Sequence, residues 1–400
     1  MKILDRLSKS STYFYIGIFG ILLKSILDHS NLIPLTDKID DLISIVSVLF
    51  LFISCLKKEY PYKALFWSIN LILLALLTSL NARNVSFFIP IIVIVASYKE
   101  DIIKLLKFIF YCELVLFIIH IIIPLLLSFN GFEIYFIKSH KLVLTFGYSH
   151  PNILSLTVLN LISMWIWLNY KTITNKDYII ISIISIITYL CTNSRTPLFT
   201  LIILFGLLFI SKFDKLEKLF DIAKITFPLC AFLTIFSVYL YPNDYTIVNF
   251  FNKLFTRRIQ LGSEGLLSYG ASVVGQHVKY RTGFTFDNIY SSLYVHYGMI
   301  WIVIISVLFY MLAKKKNNMI NIFIILWSFY GMTEIHGMNP FKFFPLLLIV
   351  YLFDYEDTLV TIKEGTIRYY HAFIKFLKRV KREIGIVIDV MIETENIDEI

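Results

Sequence analysis

Apolar runs of membrane-spanning length recur along the whole chain, and they restrict its fold more than any other feature. A helix that crosses the hydrocarbon core of a bilayer needs about 20 mainly apolar residues. The chain has 400 residues, of which 58% are hydrophobic and 16% charged, whereas about a quarter of a soluble domain is charged. The sequence therefore predicts an all-α integral membrane protein, a polytopic bundle of about twelve transmembrane helices. The candidate spans are Thr12–Leu27, Asp41–Leu56, Ala64–Leu80, Val85–Ser97, Ile102–Ser128, Asn152–Leu168, Tyr178–Cys191, Pro197–Ile210, Ile222–Tyr241, Tyr290–Ala313, Met319–Thr333 and Phe341–Phe353.

Lysine and arginine divide the predicted loops into two sets. Cytoplasmic loops of membrane proteins carry an excess of these residues, so we expect both termini to be cytoplasmic. The net charge of +9 reflects this orientation and does not indicate nucleic-acid binding. Abundant Ile, Lys, Asn, Phe and Tyr suggest an AT-rich genome and hence a bacterial cytoplasmic (inner) membrane. The basic segments, which all lie on the side of the N-terminus, are Lys2–Lys9, Lys57–Lys63, Lys99–Lys107, Lys171–Lys176, Lys212–Lys224 and Lys314–Lys316.

We predict one polytopic membrane domain over residues 1–353 and a cytoplasmic tail over residues 354–400. Residues 242–288 form a large extracytoplasmic loop between the ninth and tenth spans, and a loop of this length is uncommon in a compact protein unless it is functional. Cations and apolar residues alternate in it, which favours short helices lying on the membrane. In the tail, Ile362–Arg382 mixes apolar and basic residues as an interfacial amphipathic helix does.

Arginines on the predicted outer face are candidates for binding an anion. Arg195 lies in the short turn between the seventh and eighth spans, and its guanidinium offers planar, paired donors to a phosphate. It could equally reach lipid headgroups. The large loop carries Arg257, Arg258 and Arg281, which form either a basic pocket for an anionic ligand or part of a lipid-contacting segment.

Acidic and histidine residues on the same face are candidates for proton transfer. Asp287 stands at the mouth of the tenth span, as a general base or as a helix N-cap. Glu334 and His336 lie in the turn between the last two spans, where they could move protons or be ordinary loop residues. His150, before the sixth span, is a weaker candidate. The sequence shows no metal-ligand spacing, so we predict no metal or cofactor.

Six short motifs between Phe146 and Pro340 share an order and a predicted side of the membrane. They are Phe146–Asn152, Asn193–Arg195, Leu254–Ile259, Val273–Gly275, Asp287–Tyr290 and Gly331–Pro340. In this combination the chain resembles the O-antigen ligase and polymerase superfamily, and within it the Wzy-type polymerases of capsular polysaccharide and exopolysaccharide. Asp287 stands where the ligases of that superfamily have His, which favours a polymerase.

The resemblance implies a metal-independent, inverting C-type glycosyltransferase. Such enzymes join undecaprenyl-diphosphate-linked oligosaccharide units at the outer face of the cytoplasmic membrane, and a flippase and a chain-length regulator are suggested partners. Fixed cations can stabilise the diphosphate leaving group. We therefore assign Arg195 and Arg258, supported by Arg281, to the diphosphate, and a proton-accepting role to Asp287, Glu334 or His336. Further substrate contacts are expected from His150, Asn152 and Arg257.

Two other classes of protein fit parts of this pattern. A lipid-linked oligosaccharide flippase would also have twelve spans and cytoplasmic termini, but transporters usually show repeat symmetry and charges at mid-membrane depth. A membrane-bound acyltransferase would need a His-centred motif that we do not find. An O-antigen-ligase-like transferase is the nearest alternative within the resembling superfamily.

Overall fold

The computed structural model describes residues 10–33, 36–138, 141–279 and 286–353, and these are mostly helical. The helices are α1 Ser10–Leu27, α2 Asp37–Leu56, α3 Tyr62–Ala82, α4 Phe88–Ala96, α5 Ile102–Ser128, α6 Pro151–Asn169, α7 Asn175–Thr192, α8 Arg195–Ile210, α9 Ala223–Leu240, α10 Thr246–Leu254, α11 Arg258–Tyr269, α12 Ile300–Ala313 and α13 Asn318–Gly331. Short 3₁₀ segments are Val85–Phe87, Asp214–Ile222, Tyr241–Asn243, His336–Met338 and Phe344–Phe353.

Six helical segments of the described residues are long and apolar enough to cross a membrane: Ser10–Leu27, Lys38–Leu56, Tyr62–Ala82, Ile102–Ser128, Pro151–Asn169 and Lys218–Asn243. The predicted class, a multi-pass helical membrane protein, is supported at this level. Five further apolar helices are shorter, at 10–17 residues. The count of twelve spans stays a prediction.

Side-chain caps explain where several helices begin. Asp101 accepts hydrogen bonds from the backbone N–H groups of Ile103 and Lys104 at the start of α5. Asn317 caps α13 in the same way. Because the first turn of a helix leaves four N–H groups without intrahelical partners, such caps fix the helix start.

Aromatic side chains from α9, α12 and α13 form the centre of the main core. The ring of Trp327 lies 5.5 Å from that of Phe227 and 5.2 Å from that of Phe309. Trp301 is fully buried, and its indole nitrogen donates to the Thr78 hydroxyl at 2.8 Å. That hydrogen bond satisfies a buried donor and joins α12 to α3.

The predicted tenth span, Tyr290–Ala313, is interrupted in the structure. A helical turn, Ile289–Ser291, continues as a π-helix, Ser292–Tyr297, and α12 begins only at Ile300. Gly298 separates them with φ +105°, and a Cβ there would lie 2.5 Å from the Val273 carbonyl oxygen. The break lets the segment around Val273 pack against the helix.

The region 242–288 contains α10 and α11, in agreement with the expectation of short helices. The described residues fit the predicted all-α class and include one short β-hairpin in addition. An antiparallel hairpin pairs β1, Tyr135–Lys138, with β2, Lys141–Leu144, between α5 and α6. Both strands are rich in the aromatic and branched residues that favour strands.

The chain divides into two compact units. One comprises Met1–Lys58 with Leu71–Phe353, and it contains all the site residues discussed below; the other comprises Glu59–Asn70 with Asp354–Ile400. In the second unit the described residues are Glu59–Asn70, which include the start of α3. The predicted interfacial helix Ile362–Arg382 and the candidate Arg281 lie outside the described residues.

Candidate functional site

A buried ion pair joins two of the predicted site residues. Nη2 of Arg258, the first residue of α11, donates to Oε1 of Glu334 at 2.9 Å, and the two side chains are 9% and 7% exposed. Glu334 follows α13, and its backbone N–H donates to the Tyr330 carbonyl. Nε of Arg258 is buried and has no hydrogen-bond partner among the described residues. The guanidinium is therefore only partly satisfied by its carboxylate.

The segment before the π-helix lies beside this pair. Asn288, rather than Asp287, caps the helical turn, since its side-chain oxygen accepts from the Ser291 N–H at 2.7 Å. Asn288 also donates to the Arg258 carbonyl at 3.5 Å. The capping interpretation of Asp287 is thus wrong by one residue, because the amide of Asn288 reaches the first turn. Asp287 is partly buried and close enough to Glu334 to affect its ionisation.

Burial raises the pKa of Glu334. The cation of Arg258 and a hydrogen bond with Thr196 oppose this shift, whereas the negative charge of Asp287 adds to it. A carboxylate that holds a proton more readily than free glutamate is a better proton acceptor near neutral pH. Thr196 is the second residue of α8, so the turn that carries Arg195 reaches the same site.

Two half-buried histidines, His29 and His336, lie near the ion pair. The rings of His29 and His336 are 6.0 Å apart in an edge-to-face arrangement. Burial lowers the pKa of His336 well below its usual range, and electrostatic interaction with Lys342, His29, Arg258 and His150 lowers it further. Burial also lowers the pKa of His29 to about 3. Both imidazoles are therefore neutral at neutral pH, where each can accept a hydrogen bond, and their lowered pKa values make them weak bases.

Backbone pairing brings His29 to the site. The His29 carbonyl accepts from the Ser149 N–H at 2.8 Å, and the Asn31 N–H donates to the Gly147 carbonyl at 2.7 Å. Residues 29–31, after α1, thus lie against the segment before α6. His150 caps α6, since its Nδ1 accepts from the Asn152 N–H at 3.2 Å.

A hydrogen bond links the start of α6 to the start of α8. The Ser194 hydroxyl donates to Oδ1 of Asn152 at 3.1 Å. Two predicted arginines, the diphosphate ligand Arg195 and the substrate contact Arg257, remain at the surface. Arg195 is exposed as the first residue of α8, and Arg257 is exposed with φ +66° before α11. Of the predicted residues, the structure thus groups Arg258, Glu334, Asp287, His336, His150 and Asn152.

Sequence reasoning missed four residues of this site. Thr196 and Asn288 each stand next to a residue that the sequence did suggest, while His29 lies two residues after the end of the first apolar run. Lys342 lies inside the predicted span Phe341–Phe353, but the structure places it in the turn before the helix Phe344–Phe353. Burial lowers the pKa of Lys342 to about 7. A charge that interrupts an apolar run was the available signal.

The described residues contain no group of three or more His, Cys, Asp or Glu side chains arranged to hold a metal ion. The site is instead cationic and imidazole-rich, with one buried carboxylate. Such a set can bind an anion and accept a proton. Comparisons of the chain with protein-family models, curated proteins and solved structures find no match.

Proposed function

We propose that the chain is a polysaccharide polymerase, an inverting glycosyltransferase that uses undecaprenyl-diphosphate-linked oligosaccharides at the outer face of a bacterial cytoplasmic membrane. The buried Arg258–Glu334 pair beside neutral His336 carries this proposal. It combines a fixed cation for a diphosphate with groups that can accept a hydroxyl proton. The resemblance of the motifs between Phe146 and Pro340 supports the same class.

The reaction divides between cations and proton acceptors. The attacking sugar hydroxyl forms a bond to the anomeric carbon as the bond from that carbon to the diphosphate oxygen breaks. The electron pair leaves with the diphosphate, whose developing charge is stabilised by Arg258 and by Arg195 at the surface. The hydroxyl proton passes to Glu334, His336 or Asp287. Attack from the opposite face inverts the configuration.

Arg258 and Glu334 affect one another during this cycle. A diphosphate competes with Glu334 for the guanidinium, and Nε of Arg258 offers a further donor. As the pair loosens, the carboxylate loses a stabilising cation and binds a proton more readily. Donor binding thereby prepares the base.

Product analysis in proteoliposomes tests the proposal. With an undecaprenyl-diphosphate oligosaccharide, we expect a ladder of longer glycans and release of undecaprenyl diphosphate. Substrate that keeps its length but changes leaflet would contradict a polymerase and support a flippase. Transfer of a single preformed glycan to a different acceptor, without a ladder, would support a ligase.

One observation favours the transporter alternative. Glu113 is 2% exposed inside α5, and its Oε2 accepts from the Asn160 side chain at 2.8 Å. A carboxyl group at this depth is often part of a proton or substrate pathway. A Glu113→Gln variant separates the two functions, since a polymerase keeps its ladder and a proton-coupled flippase loses leaflet exchange.

A further inference from the structure

A small, largely enclosed cavity lies between α1, the start of α6 and the turn that carries Lys342. Its volume is about 20 Å³. A cavity of about 10–15 Å³ is large enough to hold one water molecule. Its polar lining residues are Ser25, Tyr148, Thr157 and Lys342, and the other lining side chains are apolar. The cavity therefore has room for one water-sized occupant.

Two hydrogen-bond donors, on Tyr148 and Lys342, line this cavity without an acceptor at standard geometry. The hydroxyl of Tyr148, a residue that is 1% exposed, makes no hydrogen bond of standard geometry, although the Thr157 hydroxyl lies close enough to affect its ionisation. The Lys342 ammonium pairs with no carboxylate and no hydrogen-bond acceptor of the described residues; Asp28 acts on it only through its charge. A buried donor that makes no hydrogen bond costs about 1–3 kcal/mol, and more when it is charged. An acceptor in the cavity would give both donors a hydrogen-bond partner.

The two remaining polar residues have different roles. The Thr157 hydroxyl donates to the Ile153 carbonyl at 3.0 Å, so its proton is directed away from the cavity. Oγ of Ser25 accepts from the Asn339 side chain at 3.2 Å, which leaves its own proton to donate. The lining thus offers donors from Ser25, Tyr148 and Lys342.

Charge and size together select the occupant. No carboxylate lines the cavity, and Asp28 already pairs with Lys24 at 3.3 Å. A donor-rich site beside the ammonium of the half-buried Lys342 favours an anion over water, because the anion also compensates the positive charge at the cavity. The volume excludes phosphate, sulfate and carboxylates. We propose that this cavity is a halide site, which binds one chloride between the Lys342 ammonium and the Ser25 and Tyr148 hydroxyls.

The site does not depend on the proposed transferase activity, so it can be tested by stability. The full chain in detergent is melted at about pH 6, below the pKa of about 7 of Lys342, with chloride replaced by gluconate at constant ionic strength. We expect the melting temperature to rise with chloride or bromide and then level off, as for any ligand of the folded state. Lys342→Met should remove this dependence, while Lys104→Met, a change at an exposed cation on α5, should preserve it.

Equal melting temperatures of the wild-type protein in chloride and gluconate would overturn the proposal and leave water as the occupant. If Lys342→Met does not fold, Tyr148→Phe provides the test, since it removes one donor and keeps the charge. We expect that variant to need several-fold more chloride for the same rise. A chloride response identical to that of the wild type would exclude Tyr148 from the site. In crystals grown with bromide, an anomalous peak beside Lys342 is the expected direct result, and its absence would contradict the site.

Discussion

At the residue scale, the account depends on the buried pair of Arg258 and Glu334. Removing one member of such a pair leaves an uncompensated charge, which costs about 3–5 kcal/mol. We expect Arg258→Met and Glu334→Gln each to lower the stability of the protein in detergent. The double variant should lose less than the sum of the two single losses, because neither charge is then left alone. Additive losses in a double-mutant cycle would show that the two side chains do not interact.

The half-buried histidines His29 and His336 predict a direction for the pH dependence of stability. The pKa of His29 is lowered from 6.5 to about 3 in the folded protein, so the unfolded chain binds more protons between these values. Stability should therefore be complete above about pH 6.5 and fall as the pH drops towards 3. His336 acts in the same direction. Glu334 acts in the opposite direction. Its pKa is raised in the folded protein, so its contribution to stability is lost as the pH rises.

A His29→Asn variant checks this dependence. Its melting temperature should decrease less steeply between about pH 6 and pH 4 than that of the wild-type protein, because one group that takes up a proton on unfolding is gone. An unchanged slope would mean that His29 is protonated in the folded state. His277, which has no assigned role in the site, serves as the matched control.

At the element scale, Gly298 permits the break between the π-helix and α12. Its φ of +105° already disfavours other residues, and a Cβ would meet the Val273 carbonyl. Backbone strain at such a φ costs about 1–3 kcal/mol. We expect Gly298→Ala to lower the free energy of unfolding by more than this, because the clash with the Val273 carbonyl adds to the strain. Gly206 in α8 is the control, since a Cβ there meets nothing within 4 Å. Gly206→Ala should be neutral or stabilising by up to about 1 kcal/mol. Equal effects at both positions would contradict the packing described.

Asn160 in α6 holds the turn after the site. Its Nδ2 donates to the Phe341 carbonyl at 3.2 Å, and its Oδ1 accepts from the Phe344 N–H at 3.0 Å. Asn160→Leu leaves these buried backbone groups unpaired, and each unpaired group lowers the free energy of unfolding by about 1–3 kcal/mol. We expect a lower melting temperature than for Glu113→Gln, whose amide can still accept from Asn160. The reverse order would contradict this role of Asn160.

At the scale of the whole molecule, the predicted orientation can be tested by labelling. In a variant without the native cysteines, Asp244→Cys should react with an impermeant maleimide from outside intact cells. Lys171→Cys, in a basic loop, should react only after lysis, because basic loops remain cytoplasmic. Reaction of both positions from the same side would contradict the predicted topology.

Local signals in the sequence were sufficient for part of this architecture. Most helices follow from apolar runs, and Glu334 and His336 attracted attention because they stand together in one turn. The sequence does not show which residue pairs with Glu334, since Arg258 lies 76 residues earlier. The break at Gly298 is hidden within a continuous apolar run. His29 reaches the site only through backbone pairing with residues more than a hundred positions away, and no local pattern encodes that.

The release of undecaprenyl diphosphate by three variants in proteoliposomes tests the central claim most directly. The site described here predicts that Arg258→Met and Glu334→Gln each lower release at least tenfold relative to the wild-type protein, which corresponds to about 1.4 kcal/mol in the barrier. Arg83→Met, which removes an exposed arginine outside the site, should leave release unchanged. Wild-type release by a folded Arg258→Met or Glu334→Gln protein would contradict the account.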